Sequence, residues 1–341
     1  METQIIPVDT DTPDAQLKAV CDVLCEGGVI AFPTETVYGL GGDALNPDAV
    51  TKIYAVKGRP ADNPLIVHIH SRLQLMRLVE TVPVVAEKLI ERFWPGSLTL
   101  LFKKQKIVPD VTTAGLDTVA VRMPSHPVAL RLLRQSDVLI AAPSANSSGK
   151  PSPTTAQHVY ADLFGKIPFI IDGGRCDVGL ESTILDVSGA SPVLLRPGGV
   201  TREQIEETIG PITLDPSLEA KEMGSLKPKA PGMKYKHYSP HATVELVEEQ
   251  HSSEEKILSL CQGYQREGLR VMVIAKKRYG VSVTDYTMYP DETELAHDLF
   301  FYFRKADDEK MDRILITDVS EKGMGYSVLN RIKKAATIIH S

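Results

Sequence analysis

The 341 residues are 43% hydrophobic and 24% charged, which supplies a sizeable core, suits two domains and excludes disordered and fibrous classes. With 38 basic against 44 acidic side chains the formal charge is −6, so coating nucleic acid through bulk charge is excluded and any RNA contact must be local. No apolar run approaches the roughly 20 residues of a membrane helix, and Met1-Glu2-Thr3-Gln4 has neither a basic nor an apolar leader, so a cytoplasmic protein is expected.

In chain order, Thr12-Pro13-Asp14 predicts a helix start, with a hydroxyl cap and proline at the first helical position. Leu17, Val20, Cys21 and Leu24 follow at helical spacing and Gly27-Gly28 stops the helix. A short strand is expected over 29–32. Gly39-Leu40-Gly41-Gly42-Asp43-Ala44 superficially matches a dinucleotide fingerprint, but Pro33 to Tyr38 separates it from the strand. The next helix opens only at Asn46-Pro47, so a tight turn is expected at the glycines. Strands are expected over 65–69, 98–102, 119–123, 138–142, 169–172, 183–187 and 193–196. Helices are expected over 71–79, 83–93, 127–134, 154–164 and 202–209.

This mixture predicts an α/β or α+β domain over 1–210. Pro211, Pro216, Pro228, Pro231 and Pro240 then punctuate a segment without periodicity, read as a linker over 211–241. From residue 242, strands over 244–247, 270–275 and 313–317 alternate with helices over 253–266, 292–305 and 326–336. That alternation predicts a small open α/β domain, Rossmann-like but lacking a glycine-rich phosphate loop. Cys21, Cys25, Cys176 and Cys261 are too few and too scattered for a disulfide framework or a zinc site, and buried or inert thiols are expected.

Five polar clusters fall at the ends of predicted strands, where open α/β sheets place ligands. They are Pro33-Thr34-Glu35-Thr36-Val37-Tyr38-Gly39; Lys57-Gly58-Arg59-Pro60 with Asn63-Pro64 and His68; Thr118 to Arg122; Pro143-Ser144-Ala145-Asn146-Ser147-Ser148 with Ser152; and Glu181-Ser182-Thr183 with Arg196-Pro197-Gly198-Gly199. Singly, each has an ordinary explanation: solvated charges at a helix C-terminus, a satisfied core histidine, a polar loop. Together they gather cations for phosphates and a carboxylate, hydroxyls and amides for neutral oxygens, and glycines for close backbone approach.

These runs, in this order, with Ala230-Pro231-Gly232-Met233-Lys234-Tyr235-Lys236-His237-Tyr238-Ser239-Pro240 in the linker, resemble the YrdC-domain family. The similarity is to its longer, two-domain form, the threonylcarbamoyl-AMP synthases, and covers essentially the whole chain. It implies a YrdC-like twisted mixed sheet with helices, followed by a smaller Rossmann-like α/β domain. It also implies condensation of L-threonine, bicarbonate and ATP to threonylcarbamoyl-AMP and pyrophosphate, with Mg²⁺ carried on ATP and no protein metal cage. A partner threonylcarbamoyl-transferase would then modify adenosine 37 of tRNAs reading ANN codons, and direct tRNA contact is expected to be weak.

Residue by residue, the resemblance places threonine near Thr36, His68, Arg122 and Ser182. ATP falls near Arg59, Asn63, Thr118, Ser144, Ser152, Arg196, Tyr235 and His237. The reacting centre falls among Lys57, Arg59, Ser144 and Asn146. Arg122 suits the threonine carboxylate because a guanidinium binds that group bidentately. The general base is not evident; His68 has a suitable intrinsic pKa. The linker reads either as a spacer or as a strap over the nucleotide carrying Lys234, Tyr235 or His237. A non-enzymatic tRNA- or double-stranded-RNA-binding protein is the alternative function.

Overall fold

The computed structural model describes residues 2–218, 230–231 and 238–341. The chain divides into two compact units, residues 1–148 with 152–235, and residues 149–151 with 236–341.

The first unit is built on an eleven-stranded mixed sheet. Its strands are β1 (Gln4–Pro7), β2 (Ile30–Phe32), β3 (Gly39–Asp43), β4 (Ile66–His68), β5 (Leu98–Lys103), β6 (Thr118–Arg122), β7 (Ile140–Ala142), β8 (Phe169–Asp172), β9 (Thr183–Asp186), β10 (Val193–Arg196) and β11 (Thr213–Leu214). They lie in the order β1-β8-β2-β3-β7-β4-β6-β5-β9-β10-β11. The helix Pro47–Lys57 begins as its sequence dictates: the Asn46 side chain accepts from the N–H groups of Asp48 and Ala49, and Pro47 takes the first position. It ends at Gly58, whose left-handed φ of 66° lets the chain turn and delivers Lys57 and Arg59 to one place.

Three expectations are corrected. Thr12 does not cap a helix; its hydroxyl donates to Asp9 Oδ1 (2.7 Å), and a 3₁₀ turn at Asp14–Leu17 precedes the helix Lys18–Cys25. The glycine-rich stretch is no turn but the buried strand β3, antiparallel to both β2 and β7. A Cβ on Gly41 would lie 2.5 Å from Ile140 Cγ2 and 2.8 Å from the Phe32 ring, so bare backbone is what fits between them. Finally, residues 211–218 still belong to the first unit, because β11 pairs in parallel with β10. Pro211 and Pro216 flank an edge strand there, a position that tolerates proline.

The second unit carries a five-stranded parallel sheet: β12 (Thr243–Val247), β13 (Val271–Ala275), β14 (Asp285–Met288), β15 (Arg313–Ile316) and β16 (Ile338–His340), in the order β14-β13-β15-β12-β16. The helix Glu254–Arg266 packs Ile257, Cys261 and Tyr264 against Val247, Val273 and Leu315. Edge strands β14 and β16 escaped the sequence reading, being short and half-exposed. Cys21, Cys176 and Cys261 are buried free thiols, whereas Cys25 is exposed. No helix among the described residues is long and apolar enough to cross a membrane.

The packing around β3 makes a direct prediction. Gly41→Ala should destabilise the first unit by about 1–3 kcal/mol through overpacking against Phe32 and Ile140, read as a lowered midpoint of urea unfolding with an unchanged slope.

Candidate active site

Strand register and the two-residue alternation of side chains put Thr118, Ala120 and Arg122 of β6, Ile66 and His68 of β4, and Leu101 of β5 on one face of the sheet. Helices Lys18–Cys25 and Pro127–Ser136 roof the neighbouring part of the sheet over Ile30, Phe32, Ile140 and Ala142. Beyond them, Ile66, Leu101, Ala120, Ile184 and Leu195 form a cluster closed by Ala230, from the expected linker. His68 and Arg122 sit side by side where β4 and β6 end.

Above that end lies the 33–38 segment. It is pinned by backbone bonds from Tyr38 N to Pro153 O (2.9 Å), Ala145 N to Tyr38 O (2.8 Å) and Val178 N to Glu35 O (2.7 Å). Inside it, the Thr34 hydroxyl donates to Val37 O (2.6 Å), so at the 2.8 Å contact between the two hydroxyls Thr36 must be the donor. Arg122 Nη1 in turn donates to Thr36 Oγ1 (2.8 Å). One directed chain thus runs from Arg122 through Thr36 and Thr34 to the backbone. Arg122 also donates from Nε to Gly96 O (3.1 Å), and its Nη2 lies 2.7 Å from Glu35 Oε1.

Both members of this pair are buried, with 3% and 5% exposure for Arg122 and Glu35. Burial alone would raise the Glu35 carboxyl, but the Arg122 guanidinium outweighs it and holds the group below the ordinary carboxylate range. His68 responds oppositely. Burial, reinforced by the Arg122 charge, pushes its imidazole down to about 3. The ring lies 3.2 Å from Ile66 O through Nδ1 and meets the Phe32 ring edge-on. A carbonyl accepts only, so Nδ1 carries the proton. Burial and the Arg122 charge thus favour the neutral imidazole in this site.

The remaining residues form three groups. Lys57 Nζ donates to Ser144 O (2.6 Å), Asn146 O (2.9 Å) and Asn146 Oδ1 (3.0 Å), and Ser144 Oγ donates to that same Oδ1 (2.6 Å). The ammonium therefore shapes the 144–146 loop as well as carrying charge. Arg59 Nη2 donates to Asn63 O (3.0 Å), the carbonyl that also accepts from Tyr54 Oη (2.9 Å). The Asn63 side chain is fully buried, and neither its oxygen nor its nitrogen has a hydrogen-bond partner among the described residues. Such an amide signals a ligand or ordered water.

In the third group Arg196 donates to Ser182 O from Nε (3.1 Å) and Nη2 (2.9 Å), and to Pro231 O from Nη1 (3.2 Å). Ser182 Oγ is 2.7 Å from Thr99 Oγ1. Ser152 Oγ donates to Glu181 Oε1 (2.6 Å). Thr118 is half-buried at the start of β6, roughly 13 Å along the strand from Arg122 at 3.3 Å per residue, so it belongs to another part of this face. Tyr235 and His237, with Lys234, lie outside the described residues. The sequence reading placed Glu35 and Glu181 in the polar clusters without giving either a ligand, and did not single out Thr99, which contacts Ser182. A carboxylate beside two threonines at a strand end was the available signal for Glu35.

The buried neutral His68 links stability to pH. Between about 6.5 and about 3 the unfolded chain binds this proton and the folded one does not. Its contribution is therefore intact above the unfolded pKa and is lost as pH falls, at up to about 1.4 kcal/mol per pH unit. Glu35, depressed below the carboxylate range, acts only at lower pH. Urea unfolding at pH 6.5 and 5.0 should accordingly show a smaller pH decrement in His68→Asn than in the wild type; equal decrements would contradict a neutral His68.

This geometry can be set beside known proteins. A family profile described as telomere recombination matches residues 22–198, and a profile of the threonylcarbamoyl-AMP synthase C-terminal domain matches residues 200–337. The chain is 48% identical over 337 residues to a threonylcarbamoyl-AMP synthase of Pyrococcus abyssi, covering 98% of each chain. It is 48% identical over 335 residues to the Bacillus subtilis protein of that name, covering 96% of this chain and 95% of the other. A crystal structure of the Pyrococcus abyssi protein complexed with L-threonine superposes with a TM-score of 0.93 at 47% identity, covering 99% of both chains. By its two matched domains and its full-length relatives, the chain belongs to the threonylcarbamoyl-AMP synthase family.

Proposed function

We propose that this chain condenses L-threonine, bicarbonate and ATP into threonylcarbamoyl-AMP and pyrophosphate. The threonine ammonium and bicarbonate combine to a carbamate, releasing water and one proton. A carbamate oxygen then attacks the α-phosphorus, and the bond to the pyrophosphate leaving group breaks. The observation that carries this reading is the buried Arg122–Thr36 relay beside neutral His68. It offers a rigid guanidinium to a carboxylate and hydroxyls to a small polar side chain, at the end of a face that continues toward Asn63 and Thr118.

Several negative charges meet in such a site, and their repulsion would be prohibitive in a low-dielectric pocket without cations. Lys57, Arg59 and Arg196 are buried and each is oriented by backbone oxygens, so their field is fixed before substrate arrives. Among the described residues, the group of side chains spaced to hold a metal is Glu294, His297 and Asp298 in the second unit. Mg²⁺ is proposed to travel on the ATP phosphates as part of the substrate, and no step is assigned to it. The product would feed threonylcarbamoyladenosine formation at position 37 of tRNAs reading ANN codons, in the cytoplasm, through a partner threonylcarbamoyl-transferase that accepts the labile adenylate.

The decisive assay is pyrophosphate release with threonine and bicarbonate each present or omitted, with mass detection of the adenylate. Release should require both, and Arg122→Ala should lower kcat/KM for threonine roughly 10- to 100-fold, the loss of a charge-assisted contact. ATP turnover without threonine would sink the assignment. Cutting the chain after Ser225 removes Ala230 from the core cluster and Pro231 from Arg196. The remaining fragment should fold yet retain little activity, because that closure of the site is lost; full activity would show that the segment is only a spacer.

A further inference from the structure

The second unit has a crevice of its own. The chain leaves the adjacent parallel strands β12 and β15 in opposite directions: from β12 it crosses β15 to reach β13, and from β15 it crosses β12 to reach β16. Diverging connections open a crevice at the carboxyl ends of the two strands, the place where open α/β sheets bind ligands. A cavity of about 400 Å³ lies there, walled by residues 248–250 after β12, residues 319–322 after β15, and Leu329 and Lys333 of the helix Met324–Ala335. The two loops are bolted together. Tyr279 Oη donates to Asp318 Oδ1 (2.7 Å) and lies 3.2 Å from Ser252 O, and the Ser252 and Thr317 hydroxyls are in contact. Asp318 is the irregular point in this seam. Its φ of 66° is left-handed, it is only 8% exposed, and its Oδ2 is buried without a hydrogen-bond partner among the described residues. A backbone outlier that carries an open carboxylate oxygen, placed between two crevice walls, signals a donor supplied from outside the chain.

Charge and shape select the ligand. Glu248, Glu249 and Glu321 line the crevice and Asp318 adjoins it, against the ammonium groups of Lys322 and Lys333, so acceptors and negative charge are in surplus. Lys333 Nζ stands 3.9 Å from both Glu248 Oε1 and Glu321 Oε1, too far to hydrogen-bond either. A phosphorylated ligand would be repelled by this surplus. A metal ion needs ligand atoms that converge on one point; among the described residues the group that does so is Glu294, His297 and Asp298, none of which lines this crevice. The carboxylates here are instead spread over two walls, and Val319 and Leu329 add apolar surface. We propose that this crevice binds an alkyl diamine or polyamine, its ammonium groups received by the carboxylates of the two walls and its methylene stem by Val319 and Leu329. The site draws only on residues of the second unit and does not rest on the reaction proposed above. Recognition at both ends gives selectivity, because a monoamine pairs one wall and leaves the carboxylates of the other unpaired.

The test is calorimetric titration of the full chain with putrescine, butylamine, Mg²⁺ and AMP at about 0.15 M salt, where loose surface attraction is screened. Putrescine should bind saturably, one per chain, and about tenfold or more tighter than butylamine. Glu321→Gln and Asp318→Asn should each weaken putrescine roughly 3- to 10-fold. Glu294→Gln, in the other acidic group of this unit, should leave it unchanged. Absence of saturable binding would overturn the proposal. So would equal affinity for the two amines, displacement of putrescine by an equal concentration of Mg²⁺, or the same loss in Glu294→Gln, each of which reduces the effect to net charge. AMP binding that is lost in Lys322→Ala would replace the amine site with a phosphate site. If Asp318→Asn fails to fold, Glu321→Gln and Glu249→Gln, both at exposed positions, carry the comparison.

Discussion

The first unit is organised around one buried guanidinium. Arg122 reaches Gly96 with Nε, Thr36 with Nη1 and Glu35 with Nη2, so three segments distant in sequence share its side chain. Bringing a cation into a low-dielectric interior is costly, and removing one partner of such a pair typically costs about 3–5 kcal/mol. The 33–38 segment and the turn before β5 are therefore tied to β6 through this one side chain. His68 pairs with Arg122 in the adjacent strand, and burial keeps its ring neutral, with the Arg122 charge acting in the same direction. A protonated ring there would add a second cation to a site already dominated by one.

The other cations follow a common rule. Lys57, Arg59 and Arg196 each come from the end of a regular element and each contacts the backbone carbonyls of a neighbouring loop. Each therefore has two roles, stapling a loop and imposing a fixed positive field. Water would solvate mobile lysines and arginines and let them relax toward any charge; a cation tied to carbonyls cannot relax. That is the form of electrostatic preorganisation suited to joining several anions. It follows that neutral replacements at these positions disturb loop geometry as well as charge, and Arg and Lys are not interchangeable where the guanidinium spans two acceptors.

How much of this was legible in the sequence depended on range. The helix Pro47–Lys57 was readable because Asn46, Pro47 and Gly58 encode both ends locally. The sequence pattern also located β4, β6, β12 and β15, whose apolar runs are fully buried. Strand β3 was not readable: Gly39-Leu40-Gly41-Gly42 has poor strand propensity, and the reason for its glycines lies in Phe32 and Ile140, brought beside it by the fold. β11 was hidden by prolines that an edge strand tolerates. The candidate site divided similarly. Arg122, Thr36, Lys57 and Ser182 stood in runs resembling a known family. That Lys57 serves the 144–146 loop, that burial keeps His68 neutral, and that Glu35 pairs with Arg122 all depend on burial and partners, which spacing does not encode.

Asn63 presents a buried amide with both ends open among the described residues. That lowers the stability of the ligand-free protein unless ordered water or a ligand of matching polarity completes its bonds. Binding energy at such points is selective: a site that must satisfy a buried polar group rejects an analogue lacking the matching atom far more strongly than a hydrophobic pocket rejects a missing methyl, which is worth only about 1–3 kcal/mol. Discrimination against a ligand that cannot bond the Asn63 amide should thus be strong, while in the proposed reaction discrimination between threonine and serine, resting on one methyl group, should be weak. The same chain can be strict about the chemistry it joins and tolerant about the side chain that accompanies it.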